Sequence, residues 1–212
     1  MRENPVKRAL ASGGTSLGTM IFEFPTTGIG RIAAEAGADF VIFDMEHTGW
    51  SIETIRALMA TTRAANTVPM VRVPATEYHL MARPLDVGAM GLMIPMVESG
   101  AQAQLIVDSC KYPPQGRRGA AFGVAHDDYT GGDIIAKMAS ANEEGMLIAQ
   151  IETGQGVENV DAIVQWPRSG RTRMRYRRLI LPLTTRDGGR IVVGGSLVDD
   201  RIDLRFRRRD KT

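Results

Sequence analysis

Short apolar runs alternate with helical patterns along the first 165 residues. Runs at 17–22 (LGTMIF), 39–43 (DFVIF), 68–72 (VPMVR), 91–95 (GLMIP) and 146–151 (MLIAQI) read as strands, with a weaker one at 119–122. Between them the apolar spacing predicts helices near 26–36, 52–65, 77–86, 100–110, 132–141 and 156–164. Ser51 and Thr76 stand where N-caps are needed, and Gly37 where a helix stops. Apolar strands separated by helices imply βαβ units and a parallel sheet. About six such units fit either a doubly wound sheet or most of a (β/α)8 barrel.

The rhythm stops near Trp166. Beyond it, RYRRLILPL and RIVVGGSLV read as strands around a TTRDGG turn, and RIDLRF as a short third strand. This is the pattern of a β-hairpin or meander, so two segments are expected: a barrel-like 1–165 and a β-rich tail, 166–212. Charge divides at the same place. Residues 1–166 carry 12 basic and 19 acidic side chains, whereas 167–212 carry 14 basic and 5 acidic. The net charge of +2 hides this split. Composition excludes some classes. No apolar run is long enough to span a membrane, and the N-terminus lacks a secretory apolar stretch. Cys110 is the only cysteine, so an internal disulfide is impossible and a cytoplasmic location is expected.

In a parallel sheet the strand C-termini converge on one face, where ligands bind. Strand 39–43 runs into Asp44, Glu46 and His47; strand 68–72 ends in Arg72; strand 91–95 leads to Glu98; strand 146–151 brings Gln150 and Glu152. A histidine can move a proton, an arginine can hold a carboxylate with two parallel hydrogen bonds, and a glutamate can hold a hard metal ion. Each residue also has a plain structural reading, as an ion-pair partner or a packed side chain. His79 reads as structural, His126 as part of a solvated loop and Cys110 as packing. The glycine clusters GGTSLG and GQGVENV fall short of a phosphate loop. The four lysines, at 7, 111, 137 and 211, avoid the strand ends, so a Schiff-base mechanism has no nucleophile there. Carbon–carbon bond chemistry at this site would need a metal as electron sink. The arginine-rich tail raises nucleic-acid binding. Besides Trp166, its aromatics, Tyr176 and Phe206, are too few for a stacking platform, and its charges read as the solvated face of strands.

The stretches FDMEHTGWS, PMVRVPATEYHLMARPLDVGAMGLMIPMVES, KYPPQGRRGAAFG and LIAQIETGQGVENVDAI resemble the HpcH/HpaI family of metal-dependent, class II pyruvate-type aldolases over about residues 15–164. The resemblance implies a (β/α)8 TIM barrel and reversible cleavage of 4-hydroxy-2-oxo acids to pyruvate and an aldehyde, with a homo-oligomer possible and no membrane partner. It implies His47 as general base, Asp86 as the residue orienting it, Arg72 as the pyruvate and enolate ligand, and Gln150 lining the same pocket. It implies Glu152 as ligand to Mg²⁺ or Mn²⁺, with Asp44 and Glu46 in the surrounding hydrogen-bonded shell. The family's second carboxylate ligand, an aspartate in a segment of the type W-I-G-x-x-D-L, has no match here. The expected architecture is thus a barrel truncated after about six βα units and joined to an unrelated basic tail. The competing expectation is a catalytically impaired product with a structural or interaction role.

Overall fold

The computed structural model describes residues 1–164 and the backbones of 176–184 and 190–198. Five strands, β1 (Ser16–Ile21), β2 (Phe40–Asp44), β3 (Val68–Arg72), β4 (Gly91–Ile94) and β5 (Met146–Ala149), pair in parallel and in sequence order. Helices α2 (Ile29–Glu35), α3 (Ile52–Thr62), α4 (Tyr78–Asp86) and α5 (Gly100–Cys110) connect the first strands. α6 (Ile134–Glu144) precedes β5, and α7 (Gly154–Glu158) and α8 (Val160–Val164) follow it.

Two apolar clusters show how the sheet is wound. Val41, Phe43, Val71, Leu92 and Ile94 pack with residues of α2–α5 on one face. Phe40, Ile42, Val68, Met70, Met93 and Met146 pack on the other, with Val6 and Leu10 of the N-terminal helix α1 (Pro5–Ala11). The crossover helices α2–α5 therefore lie on one face. A doubly wound sheet would reverse its order and carry helices on both. The sequential order and the single helical layer are those of a barrel-type α/β fold. The interior has room for Phe40 because Gly18 is its partner in register: a Cβ there would lie 2.4 Å from the Phe40 ring.

Several expectations need correction. There are five parallel strands among the described residues, not six. Residues 119–122 form no strand, since AAF is a short run between Gly119 and Gly123, and Gly123 has φ +74°. α1 was not expected; Asn4 caps it by accepting from the Lys7 N–H, and Pro5 opens it. Ser51 caps α3 as expected, but the cap of α4 is Glu77, because Thr76 Oγ1 instead accepts from Gln102 Nε2. Strands β6 (Tyr176–Thr184) and β7 (Arg190–Val198) pair antiparallel, and β7 runs antiparallel to β1 at Ser16–Gly18. The expected turn residues 185–189 and the expected strand RIDLRF lie outside the described residues. Among the described residues no helix is long and apolar enough to cross a membrane.

Candidate active site

Side chains alternate across the sheet, so Phe40, Ile42 and Asp44 share the interior face of β2, as Val68, Met70 and Arg72 do on β3. Register then sets Asp44 opposite Arg72 at the C-terminal edge. Asp44 is fully buried and Arg72 is 7% exposed. Arg72 donates to Asp44 through Nε at 2.7 Å and Nη2 at 2.9 Å, a two-pronged pair. The same carboxylate accepts the backbone N–H groups of Glu46 and His47 at 3.0 and 3.2 Å. An apolar strand thus ends in a charged turn because one buried aspartate fixes both the turn and the arginine.

Burial alone would raise the Asp44 carboxyl, but the bonds from Arg72 and the two amides outweigh it and hold it below its usual range. Burial would likewise lower Arg72. Its bonds to Asp44, and the charges of Asp44, Glu46 and Glu152, keep the guanidinium above its ordinary value. Arg72 Nη1 lies 3.0 Å from Glu46 Oε2. Phe22, one interior position past the end of β1, places its ring 5.7 Å from the guanidinium carbon. The sequence reasoning missed Phe22; its signal was the alternation carried on from Gly18 and Met20.

His47 is exposed, with Nε2 3.7 Å from Glu46 Oε2. Glu152 accepts the Met96 N–H at 3.0 Å and Gln150 Nε2 at 2.6 Å. Met96 adopts φ +54°, a conformation unusual for a side chain of its size. The structure therefore gathers Asp44, Glu46, His47, Arg72, Gln150 and Glu152 at one edge. It does not bring Asp86 there. Asp86 ends α4, which returns to the N-terminal end of the sheet, and its carboxylate accepts from Arg118 at 2.5 Å. The expected His47–Asp86 pair is not formed within this chain, because the two residues lie at opposite ends of the strands.

Among the described residues no group of three or more His, Cys, Asp and Glu side chains forms a metal cluster. The donor chemistry of the edge nonetheless fits a hard cation. Glu152 presents a carboxylate, and Gln150 Oε1 is buried with no hydrogen-bond donor among the described residues. Asp44, Glu46 and Glu152 against Arg72 leave two negative charges in excess with His47 neutral, which a divalent cation balances.

A model of the HpcH/HpaI aldolase/citrate lyase family matches residues 26–173. The chain belongs to that family. The match starts and ends later than the expected 15–164, and it crosses position 165. The hydroxypyruvate/pyruvate aldolase of Roseovarius nubinhibens is 37% identical over 161 residues, covering 76% of this chain and 62% of the relative. The 2-keto-3-deoxy-L-rhamnonate aldolase of Klebsiella pneumoniae is 33% identical over 162 residues, covering 76% of this chain and 60% of the relative. The crystal structure of an HpcH/HpaI aldolase from Desulfitobacterium hafniense superposes with a TM-score of 0.73 at 34% identity, over 76% of this chain and 62% of that one. The chain thus spans about three-fifths of the length of the curated relatives it matches.

Proposed function

We propose that this chain carries the pyruvate end of a metal-dependent aldolase that cleaves 4-hydroxy-2-oxo acids to pyruvate and an aldehyde. The observation that carries this reading is Arg72, held rigid and charged by Asp44 at the strand edge that also bears His47, Gln150 and Glu152. A guanidinium fixed before substrate arrives can stabilise charge as it develops on a pyruvate oxygen without reorganising. Exposed His47 takes the proton of the substrate's 4-hydroxyl. The C3–C4 bond then breaks. The oxygen's electrons form the aldehyde carbonyl, the C3–C4 pair passes into the pyruvate enolate beside Arg72, and a proton returned to C3 gives pyruvate. Glu46 stands between His47 and Arg72 and orients both. Glu152 and Gln150 would hold Mg²⁺ or Mn²⁺, which supplies Lewis-acid polarisation of the 2-oxo group when bound.

Pyruvate released from 4-hydroxy-2-oxopentanoate, measured with Mn²⁺ and again after chelation, tests this reading. The proposal expects metal-dependent release that Arg72→Ala abolishes. Full release after chelation would overturn the metal's part, and full release by Arg72→Ala would overturn the enolate site. A second reading, a family member without catalysis and with an interaction role, is favoured by the carboxylates at the edge: among the described residues Asp44 and Glu46 are already paired with Arg72, which leaves Glu152 as the one of the three free to meet a metal ion. It predicts folded protein with no pyruvate release at any metal concentration.

A further inference from the structure

The N-terminal end of the sheet holds a second polar cluster that the proposed reaction does not use. A cavity of about 40 Å³ there is lined by Arg63, Lys111, Arg118 and His126 among others. His126 was expected in a solvated loop. Instead it is 4% exposed, and Arg118 is 6% exposed. The Arg118 guanidinium donates through Nη2 to Asp86 and lies 4.7 Å from the centre of the Tyr112 ring. The Tyr112 hydroxyl is 3.0 Å from His126 Nε2, its only side-chain partner among the described residues. With the hydroxyl donating to Nε2, the tautomer that leaves no orphaned hydroxyl proton, the neutral imidazole carries its own proton on Nδ1. Among the described residues neither His126 Nδ1 nor Arg118 Nε has a hydrogen-bond partner. Two buried donors at one cavity are thus left without an acceptor, an arrangement native interiors avoid.

Charge selects what the acceptor is. Arg2, Arg63, Lys111 and Arg118 line the cavity along with Glu144. Asp128 pairs with both Arg2 and Arg63, Asp86 with Arg118, and Glu144 with Arg8. Among the described residues the cavity lining itself carries four basic side chains and one carboxylate. Among the described residues Lys111 has only carbonyl oxygens as hydrogen-bond partners, those of Asn142 and Gly145. Burial pushes its ammonium down to about 8, with the charges of Lys7 and Arg118 acting in the same direction and Glu143 only partly opposing them. We propose that this cavity is a binding site for a small monovalent anion of halide or formate size, held by Arg118 Nε and His126 Nδ1 and balanced by Lys111 and Arg63. One water needs roughly 10–15 Å³ of such space, so the cavity takes a few heavy atoms and no sugar acid. An anion there would tie α4, through Asp86 and Arg118, to the loop that carries Tyr112 and His126.

The test compares thermal unfolding of the full chain in sodium bromide and in sodium gluconate at equal ionic strength, gluconate being too large to enter. The proposal expects a saturable rise in Tm with bromide only, roughly 3–6 °C at ten times its Kd, and a weaker response in Lys111→Met. Equal Tm in both salts would overturn it. Should Lys111→Met fail to fold, wild-type crystals grown in bromide decide through anomalous scattering. A bromide peak within hydrogen-bond reach of Arg118 Nε and His126 Nδ1 supports the site. Its absence at saturating bromide means that the cavity holds water alone and overturns the proposal.

Discussion

Each end of the sheet places an arginine on an aspartate with a histidine nearby. At the C-terminal edge Arg72 is clamped by Asp44, and His47 stands in solvent. At the N-terminal end Arg118 is bound to Asp86, and His126 is buried against Tyr112. The residue types match and the physics differs. Burial pushes the His126 imidazole down to about 4, with the Arg118 charge acting in the same direction, so near neutral pH this ring is neutral and serves structure. His47 lacks such enclosure and can meet a substrate. Exposure, and position relative to the strand C-termini, set the histidine proposed to react apart from the packed one.

The largest effect expected is on chemistry. His47→Ala should lower pyruvate release by roughly 10²–10⁴-fold while changing stability by no more than about 0.5 kcal/mol. Urea unfolding beside the turnover assay checks both, and a large stability loss would erase the contrast with His126. Next comes Asp44→Ala, which leaves the buried Arg72 charge without its partner. It should cost about 3–5 kcal/mol in urea unfolding and remove activity as well.

A pH titration of stability sharpens the other side. The folded His126 value, about 4, lies below the ordinary 6.5, so the unfolded chain binds the extra proton between those values. This contribution is complete above pH 6.5 and is lost as pH falls to 4, by about 3 kcal/mol in all. His126→Phe should flatten the unfolding free energy across that window; an unchanged slope would show that His126 is not held neutral. The smallest effect belongs to neither end. Ser51→Ala should remove the α3 cap for about 1 kcal/mol of stability, with turnover unchanged.

The sequence foretold the C-terminal edge well because its signal is local. The apolar runs at 39–43 and 68–72 end at or beside Asp44 and Arg72, so the charged strand ends could be read directly from the chain. The resemblance assigned Asp86 to the same site, but chain direction through α4 carries it to the other end. The N-terminal cluster was illegible. Arg63, Tyr112, Arg118 and His126 come from separate loops and helix ends, and no period links them. His126 sits beside Asp127 and Asp128 in a polar stretch, so it read as solvated, although Asp127 and His126 are both buried. The missing strand at 119–122 has the same cause: a run of three apolar residues has too little pattern to be distinguished from a loop that packs.

The measurement that tests the central claim most directly is methyl-proton exchange of pyruvate in D₂O, followed by NMR with and without Mn²⁺ or Mg²⁺. It reports the enolate step alone and needs no aldehyde. The account predicts metal-dependent exchange by the wild-type chain that is lost in Arg72→Lys, which keeps the charge but cannot form the two-pronged bond to Asp44. Exchange that proceeds equally well in Arg72→Lys, or none from folded wild-type protein with metal, would contradict the assignment of this edge as the pyruvate site.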